Sequence, residues 1–161
     1  MIPVRIEDIT FLRVLVDTGS SVNVMSNQIR IRLGYHRMAP LTTKLAMANN
    51  TMVWPLGVLS SVLVVVEGIH LIVSFQVIEM DDPDCTQLIL GHTWQKGAQA
   101  IIDMDEEVVH IRVGTTLTTV QMIDVTWPGT MKVQQVQPVD CSPGCRSKLS
   151  AFDGQGKTKG A

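Results

Sequence analysis

The segment Val14–Ser20 reads VLVDTGS, so an apolar run leads directly into a carboxylate, a hydroxyl residue and a glycine. Gly19 lets backbone approach the carboxylate of Asp17 closely, and Thr18 can hold the loop by a hydrogen bond. A single carboxylate does little hydrolytic work at neutral pH. Two carboxylates held together share one proton, so that one activates water while the other polarises a substrate carbonyl. The plainer interpretation is a strand that ends in an Asp-initiated turn.

A second loop of this kind is missing from the chain. Asp153-Gly154 lacks both the hydroxyl residue and a preceding apolar strand. If Asp17 works in a pair, the second carboxylate must come from another copy related by a two-fold axis. The chemistry therefore predicts a homodimer.

The elements that position this loop are mostly β-strands, because the apolar residues recur with a period of two. The pattern predicts hairpins that turn at Glu7-Asp8, Asn49-Asn50, Glu67-Gly68 and the acidic run 103–107, the last of which closes the ordered part at Gly114. Two short helices are predicted, NQIRIRLG between Ser26 and Gly34 and HTWQKGA after the strand TQLILG, although IRIRL also alternates like a strand. Many short strands with two short helices predict a small all-β barrel.

The composition places this barrel within residues 1–124. Residues 125–161 are rich in Pro, Gly, Gln, Ser and Lys, which predicts a linker or disordered tail. The net charge of −2 gives no reason to expect nucleic acid or an acidic membrane as a partner. The longest apolar segment, 56–66, is too short to span a bilayer, and no signal-peptide pattern follows Met1, so we expect a cytoplasmic location.

The segment Leu88–Gly91 reads LILG and is followed by HTW, which by itself indicates only a buried strand that meets a helix. Combined with the aspartate loop, its order and spacing resemble the retropepsin-like aspartic proteases of long-terminal-repeat retrotransposons, especially the gypsy-type elements of plants. The matching segments lie between about Ile2 and Val113 and are VLVDTGSSVNVMS, RIRLGY, LAMANNTMVWPLGVLSSVLVVV, VSFQVIEMDD and QLILGHTWQKGAQAIIDMDEEVVHI.

The resemblance implies a closed β-barrel assembled as a two-fold homodimer. It implies that Asp17 is the catalytic carboxylate of each subunit, that Thr18 hydrogen-bonds across the dimer axis, and that Gly19 leaves space for substrate and water. It also implies two supporting groups: an apolar shelf behind the aspartate loop, formed by Leu88, Ile89, Leu90 and Gly91, and a flap that closes over bound peptide, formed by Ala48, Asn49, Asn50 and Thr51. The flap sequence MANNTMVW lacks the glycines usual in retroviral flaps. Trp54 either lines the cleft or is a structural aromatic.

The expected reaction is the hydrolysis of peptide bonds without a cofactor, with the polyprotein of a retroelement as substrate and retroelement particles in the cytoplasm as the setting. The main alternative is a retroelement-derived module that dimerises or binds peptide without turnover. An unrelated β-barrel binding protein would require both motifs to be coincidence.

Ser20 is expected to influence the pH dependence of this reaction. Serine after the glycine resembles the pepsin-like pattern, whereas many retroviral members have alanine there. A hydroxyl that donates to the carboxylate favours its charged form. We therefore expect a more acidic activity optimum than in a Ser20→Ala variant.

No metal site is predicted. The histidines lack metal-ligand spacing, and the pair Cys141 and Cys145 has no second ligand pair. The odd number of cysteines favours a reducing compartment over a disulfide scaffold. The residues concerned are His36, His70, His92, His110, Cys85, Cys141 and Cys145.

Overall fold

The computed structural model of the chain describes residues 1–47, 50–80 and 87–123. Several predictions from the sequence lie outside these residues: the loop at 81–84, the tail at 125–161 with its two cysteines, and the flap residues Ala48 and Asn49.

The described residues form eleven strands and two short helices. In chain order they are β1 (Ile2–Ile6), β2 (Ile9–Val16), β3 (Val24–Ser26), α1 (Asn27–Arg32), β4 (Leu45–Ala46), β5 (Met52–Val53), β6 (Gly57–Val66), β7 (Ile69–Ile78), β8 (Leu88–Leu90), α2 (His92–Gly97), β9 (Ile101–Asp103), β10 (Val108–Val113) and β11 (Thr116–Gln121).

The predicted hairpins are confirmed at their turns. Glu7, Asn50 and Glu67 have positive φ values of 51°, 62° and 45°, the left-handed conformation that such tight turns require. β1 pairs with β2, β4 with β5, and β6 with β7, all antiparallel.

Six strands close into a barrel in the order β1-β2-β8-β3-β7-β6, which confirms the predicted all-β barrel. β8 lies between β2, with which it is parallel, and β3, with which it is antiparallel. The end of β2 is thereby held against a strand more than seventy residues later in the chain. The strands β9, β10 and β11 form a separate three-stranded sheet, and β4 and β5 form a two-stranded one.

The core fills the barrel and continues beneath α2. Its largest fully buried side chains include Trp94 of α2, Phe75 of β7 and Ile2 of β1. Burial of an aliphatic or aromatic side chain of this kind contributes about 1.5–3 kcal/mol to folding. The barrel and α2 are therefore stabilised by one continuous apolar cluster.

Helix α1 forms as predicted, with Ser26 as its N-cap. The Ser26 hydroxyl accepts a hydrogen bond from the backbone N–H of Ile29 at 3.2 Å, and Gly34 has a φ of 77° just beyond the helix. Ile29 is buried while Ile31 is exposed, so only one of the alternating isoleucines faces the core. The cap and the burial of Ile29 both favour the helix over the strand in this segment. Across the described ranges there is no helix long and apolar enough to cross a membrane.

Strand β11 is an addition to the predicted elements, which ended with the hairpin that closes at Gly114. It pairs with β10 along its whole length, from Val113 opposite Thr116 to Val108 opposite Gln121. The segment TLTTVQ does not show the apolar alternation of a half-buried strand, because Val120 is its one buried residue. Threonines nevertheless fit an exposed strand well since they are β-branched.

Tyr35 attaches the segment after α1 to the β1–β2 turn. Its hydroxyl donates to Glu7 Oε1 at 2.5 Å. Burial, together with the hydrogen bond to Glu7 and its negative charge, raises the pKa of Tyr35 to about 12. The neutral phenol is therefore the form that the folded chain favours.

We expect this tyrosine to make the fold sensitive to alkali. Between about pH 10 and pH 12 the unfolded chain has lost the phenol proton while the folded chain keeps it, so the free energy of unfolding falls as pH rises through that window. Denaturant titrations of the wild type and Tyr35→Phe check this, and the variant should show a flatter decline. Since the chain has one tyrosine, the absorbance of its phenolate follows the ionisation directly. A phenol that titrates near pH 10 in the folded protein would contradict the account.

Candidate active site

The aspartate loop begins where β2 ends. The backbone N–H of Asp17 donates to the carbonyl of Leu90 at 3.0 Å, which extends the parallel pairing of β2 and β8 by one residue. The N–H of Gly19 donates to Asp17 Oδ1 at 2.8 Å. A Cβ on Gly19 would lie 3.2 Å from that same oxygen. The loop thus folds back on its own carboxylate, and Asp17 is half-buried while Thr18 is exposed.

The predicted apolar shelf lies directly beside this loop. Leu88 and Leu90 are buried, and β8 pairs with β2 on one side and with β3 on the other. At the end of β8, a Cβ on Gly91 would be 2.1 Å from the carbonyl oxygen of Val22 and 2.7 Å from that of Ser20. Only glycine fits this approach, because real Cβ atoms do not come that close to backbone oxygens.

Asn23 joins the loop to the barrel, a role that the sequence analysis missed. Its side chain is 1% exposed. Asn23 Oδ1 accepts from the N–H of Gly91 at 2.9 Å, and Asn23 Nδ2 donates to the carbonyl of Ser74 at 3.0 Å. The available signal was a polar residue inside the apolar run SVNVMS, since a buried amide in such a place needs partners.

The hydrogen bond expected from Ser20 to the carboxylate of Asp17 is wrong, and with it the structural basis for the predicted shift of the activity optimum. The Ser20 hydroxyl donates to the carbonyl of Val22 at 2.7 Å, and a hydroxyl has a single proton to donate. It therefore closes the turn instead of donating to the carboxylate of Asp17. The carboxylate receives its hydrogen bond from the backbone of Gly19.

The hairpin that was predicted to act as a flap is formed in the part that the structure describes. The N–H of Met47 donates to the carbonyl of Thr51 at 2.8 Å, and the N–H of Asn50 donates to that of Met47 at 2.9 Å. The ammonium of Lys44 lies 4.9 Å from the centre of the Trp54 ring, and Trp54 is 58% exposed. Since β4 and β5 pair with each other outside the barrel sheet, this hairpin is not joined to the aspartate loop by strand pairing.

An apolar groove of about 430 Å³ lies next to Thr18 of the aspartate loop. Thr18 is the polar member of its wall, and its hydroxyl makes no hydrogen bond within the described ranges 1–47, 50–80 and 87–123. The residues that line the groove are Met1, Ile2, Val16, Thr18, Ile102, Met104 and Met122.

The described residues contain no group of three His, Cys, Asp or Glu side chains that could hold a metal ion.

Comparison with known proteins assigns the chain to a family. Residues 2–94 match the family model described as Aspartyl protease. Because this match covers more than half of the chain, the chain belongs to the aspartyl protease family. No curated protein sequence matches the chain significantly.

Among solved structures, the chain is similar to the retroviral protease-like domain of Ddi1 from Leishmania major. The two share 20% sequence identity with a TM-score of 0.60, over 76% of this chain and 92% of that domain. At this identity the likeness establishes the fold, which is a retropepsin-like barrel.

Asn23 offers a test of how the loop is held. We expect Asn23→Ala to lower the free energy of unfolding by about 2 kcal/mol, because it leaves the N–H of Gly91 buried without a partner and removes the hydrogen bond to the carbonyl of Ser74. Chemical denaturation measures the change, with Ser21→Ala as the control because Ser21 is an exposed neighbour in the same loop. Equal stability of the two variants would show that Asn23 does not hold the loop.

Proposed function

We propose that this protein is an aspartic endopeptidase whose active site contains two Asp17 carboxylates, one from each subunit of a homodimer. The observation that carries this proposal is the geometry of the loop: a family member with a single Asp-Thr-Gly loop holds its carboxylate on the N–H of Gly19 and packs the loop against Leu88–Gly91. One loop per chain supplies half of the required pair.

The paired carboxylates share one proton before the reaction. The ionised one takes a proton from a water molecule, and the protonated one donates a hydrogen bond to the oxygen of the scissile carbonyl. The water oxygen then attacks the carbonyl carbon while the carbonyl oxygen takes the proton of the protonated carboxyl, and a tetrahedral diol forms. When the C–N bond breaks, the nitrogen takes up the proton that came from water and leaves as an amine, while the other carboxylate takes a proton back from a diol hydroxyl, which leaves the second product as a carboxylic acid and restores the pair. The enzyme forms no covalent bond with the peptide.

The apolar groove supports the assembly of two copies. It lies beside Thr18, one residue from Asp17, and its wall includes Met104, which is 74% exposed. Exposed apolar surface of this kind is stabilised when a partner covers it. A two-fold axis that passes close to Thr18 would bring the two grooves together and place the two Asp17 side chains side by side.

The proposed substrate is an extended peptide. The hairpin of β4 and β5 would pair with its backbone as a neighbouring strand does, while the aspartate loop lies on the other side of the peptide. The resemblance to gypsy-type elements supports a retroelement polyprotein as the natural substrate and the cytoplasm as the setting. The silent-module alternative shares the assembly with this proposal and differs from it in turnover.

We expect the purified protein to cleave peptides between about pH 4 and pH 7, the range over which a carboxylate pair shares one proton. Incubation with a peptide library, with sedimentation of the same samples, measures cleavage together with the dimer fraction. Cleavage should be inhibited by pepstatin, rise with dimer fraction and vanish in Asp17→Asn. A stable dimer without cleavage would support the silent module instead.

The groove gives a test of the assembly itself. Met104→Asp should raise the Kd of the dimer at least about a hundredfold, because a buried unpaired charge costs several kcal/mol. Ile72→Asp is the matched control, since Ile72 is 71% exposed on β7 and does not line the groove. Analytical ultracentrifugation over a concentration series gives both constants. Equal Kd values for the two variants would place the interface elsewhere.

A further inference from the structure

Gln95 is the fourth residue of α2. The side chain of a helical residue points back toward the start of its helix, which here follows the end of β8. The backbone N–H of Gln95 donates to the carbonyl of Gly91 at 3.0 Å, which keeps it in the regular helix. The helix in turn is anchored by Trp94, which is completely buried. The backbone of Gln95 is therefore fixed in a position from which its amide reaches the ends of β2 and β8.

The amide of Gln95 bridges two backbone carbonyls at that point. Gln95 Nε2 donates to the carbonyl oxygen of Asp17 at 2.8 Å and to that of Leu90 at 3.2 Å. An amide nitrogen carries two protons and can serve both acceptors, whereas an aliphatic side chain or a carboxylate has none to donate. The amide of Gln95 therefore connects β2 and β8 at the point where their backbone pairing ends.

The bond to Asp17 bears on the orientation of its carboxylate. The carbonyl of Asp17 belongs to the peptide that leads into Thr18, and it also accepts from the N–H of Ser20, at 3.3 Å. The bond from Gln95 is the shorter of the two. If that peptide rotates, Gly19 moves with it, and the 2.8 Å bond from the N–H of Gly19 to Asp17 Oδ1 is disturbed.

We propose that Gln95 is a positioning residue of the active site: by holding the Asp17–Thr18 peptide, it keeps the N–H of Gly19 on the Asp17 carboxylate. The kinetic part of this proposal rests on the function proposed above. The structural part does not, because the hydrogen bond of Gly19 can be observed without any substrate.

The test compares Gln95→Met with the wild type in the full chain. Methionine keeps the length of the side chain and removes both donors. Gln28→Met is the matched control, because Gln28 is an exposed glutamine on the other helix, α1. Gln95→Glu at about pH 7 is the second variant, since a carboxylate keeps the shape of the amide without its protons.

Two measurements are made on each variant. The first is the chemical shift of the Gly19 amide proton, which a hydrogen bond to a carboxylate moves downfield. In both Gln95 variants we expect this resonance to move upfield, and in Gln28→Met to stay in place. The second is peptide cleavage, in which kcat should fall about tenfold or more while KM stays within about twofold, because misplacement of a catalytic group slows the chemical step.

The outcomes separate this proposal from the proposed function. A Gly19 resonance that does not move in either Gln95 variant overturns the positioning role, as does an unchanged kcat in both. If the wild type cleaves no peptide while the Gly19 resonance moves only in the Gln95 variants, the proposed function fails and the positioning of the loop by Gln95 is supported.

Discussion

The close approach of Gly91 to the carbonyls of Ser20 and Val22 is the constraint on which the site depends. A side chain at this position would place its Cβ 2.1 Å from the oxygen of Val22, so the aspartate loop can lie where it does only because residue 91 is glycine. Two hydrogen bonds hold the same segments together. The N–H of Gly91 donates to Asn23 Oδ1, and the N–H of His92 donates to the carbonyl of Ser20. The loop is therefore shaped by the turn between β8 and α2.

The position of Asp17 therefore depends on contacts from several strands of the barrel and from α2. β8 separates β2 from β3, which frame the loop in the sequence, and Asn23 reaches on to Ser74 of β7. α2 adds the amide of Gln95 from the other side. Loss of barrel packing would release these contacts together, because each joins segments that are distant in the chain. A loop held in this way is preorganised, because contacts from several parts of the barrel fix the backbone of Asp17.

The sequence predicted the features that local chemistry determines. Positive-φ turn residues marked three hairpins, Ser26 marked the start of α1, and the apolar strand before Asp17 marked the loop. It missed what depends on partners far along the chain. Asn23 and Gln95 find their acceptors only when β7 and β8 are in place, and β11 shows its strand character only against β10. The Ser20 hydroxyl failed as a predicted donor to Asp17 because its single proton goes to the carbonyl of Val22, two residues away.

The proposed active site needs Asp17 from each of two chains, and mixing the wild type with an inactive variant tests this requirement. Wild type and Asp17→Asn would be unfolded together, refolded in varied ratios at constant total concentration, and assayed for peptide cleavage. If both carboxylates are needed, activity follows the square of the wild-type fraction, about one quarter at equal amounts, because mixed dimers are inactive. Activity that falls linearly, to about one half at equal amounts, would contradict the account by showing that each chain acts alone.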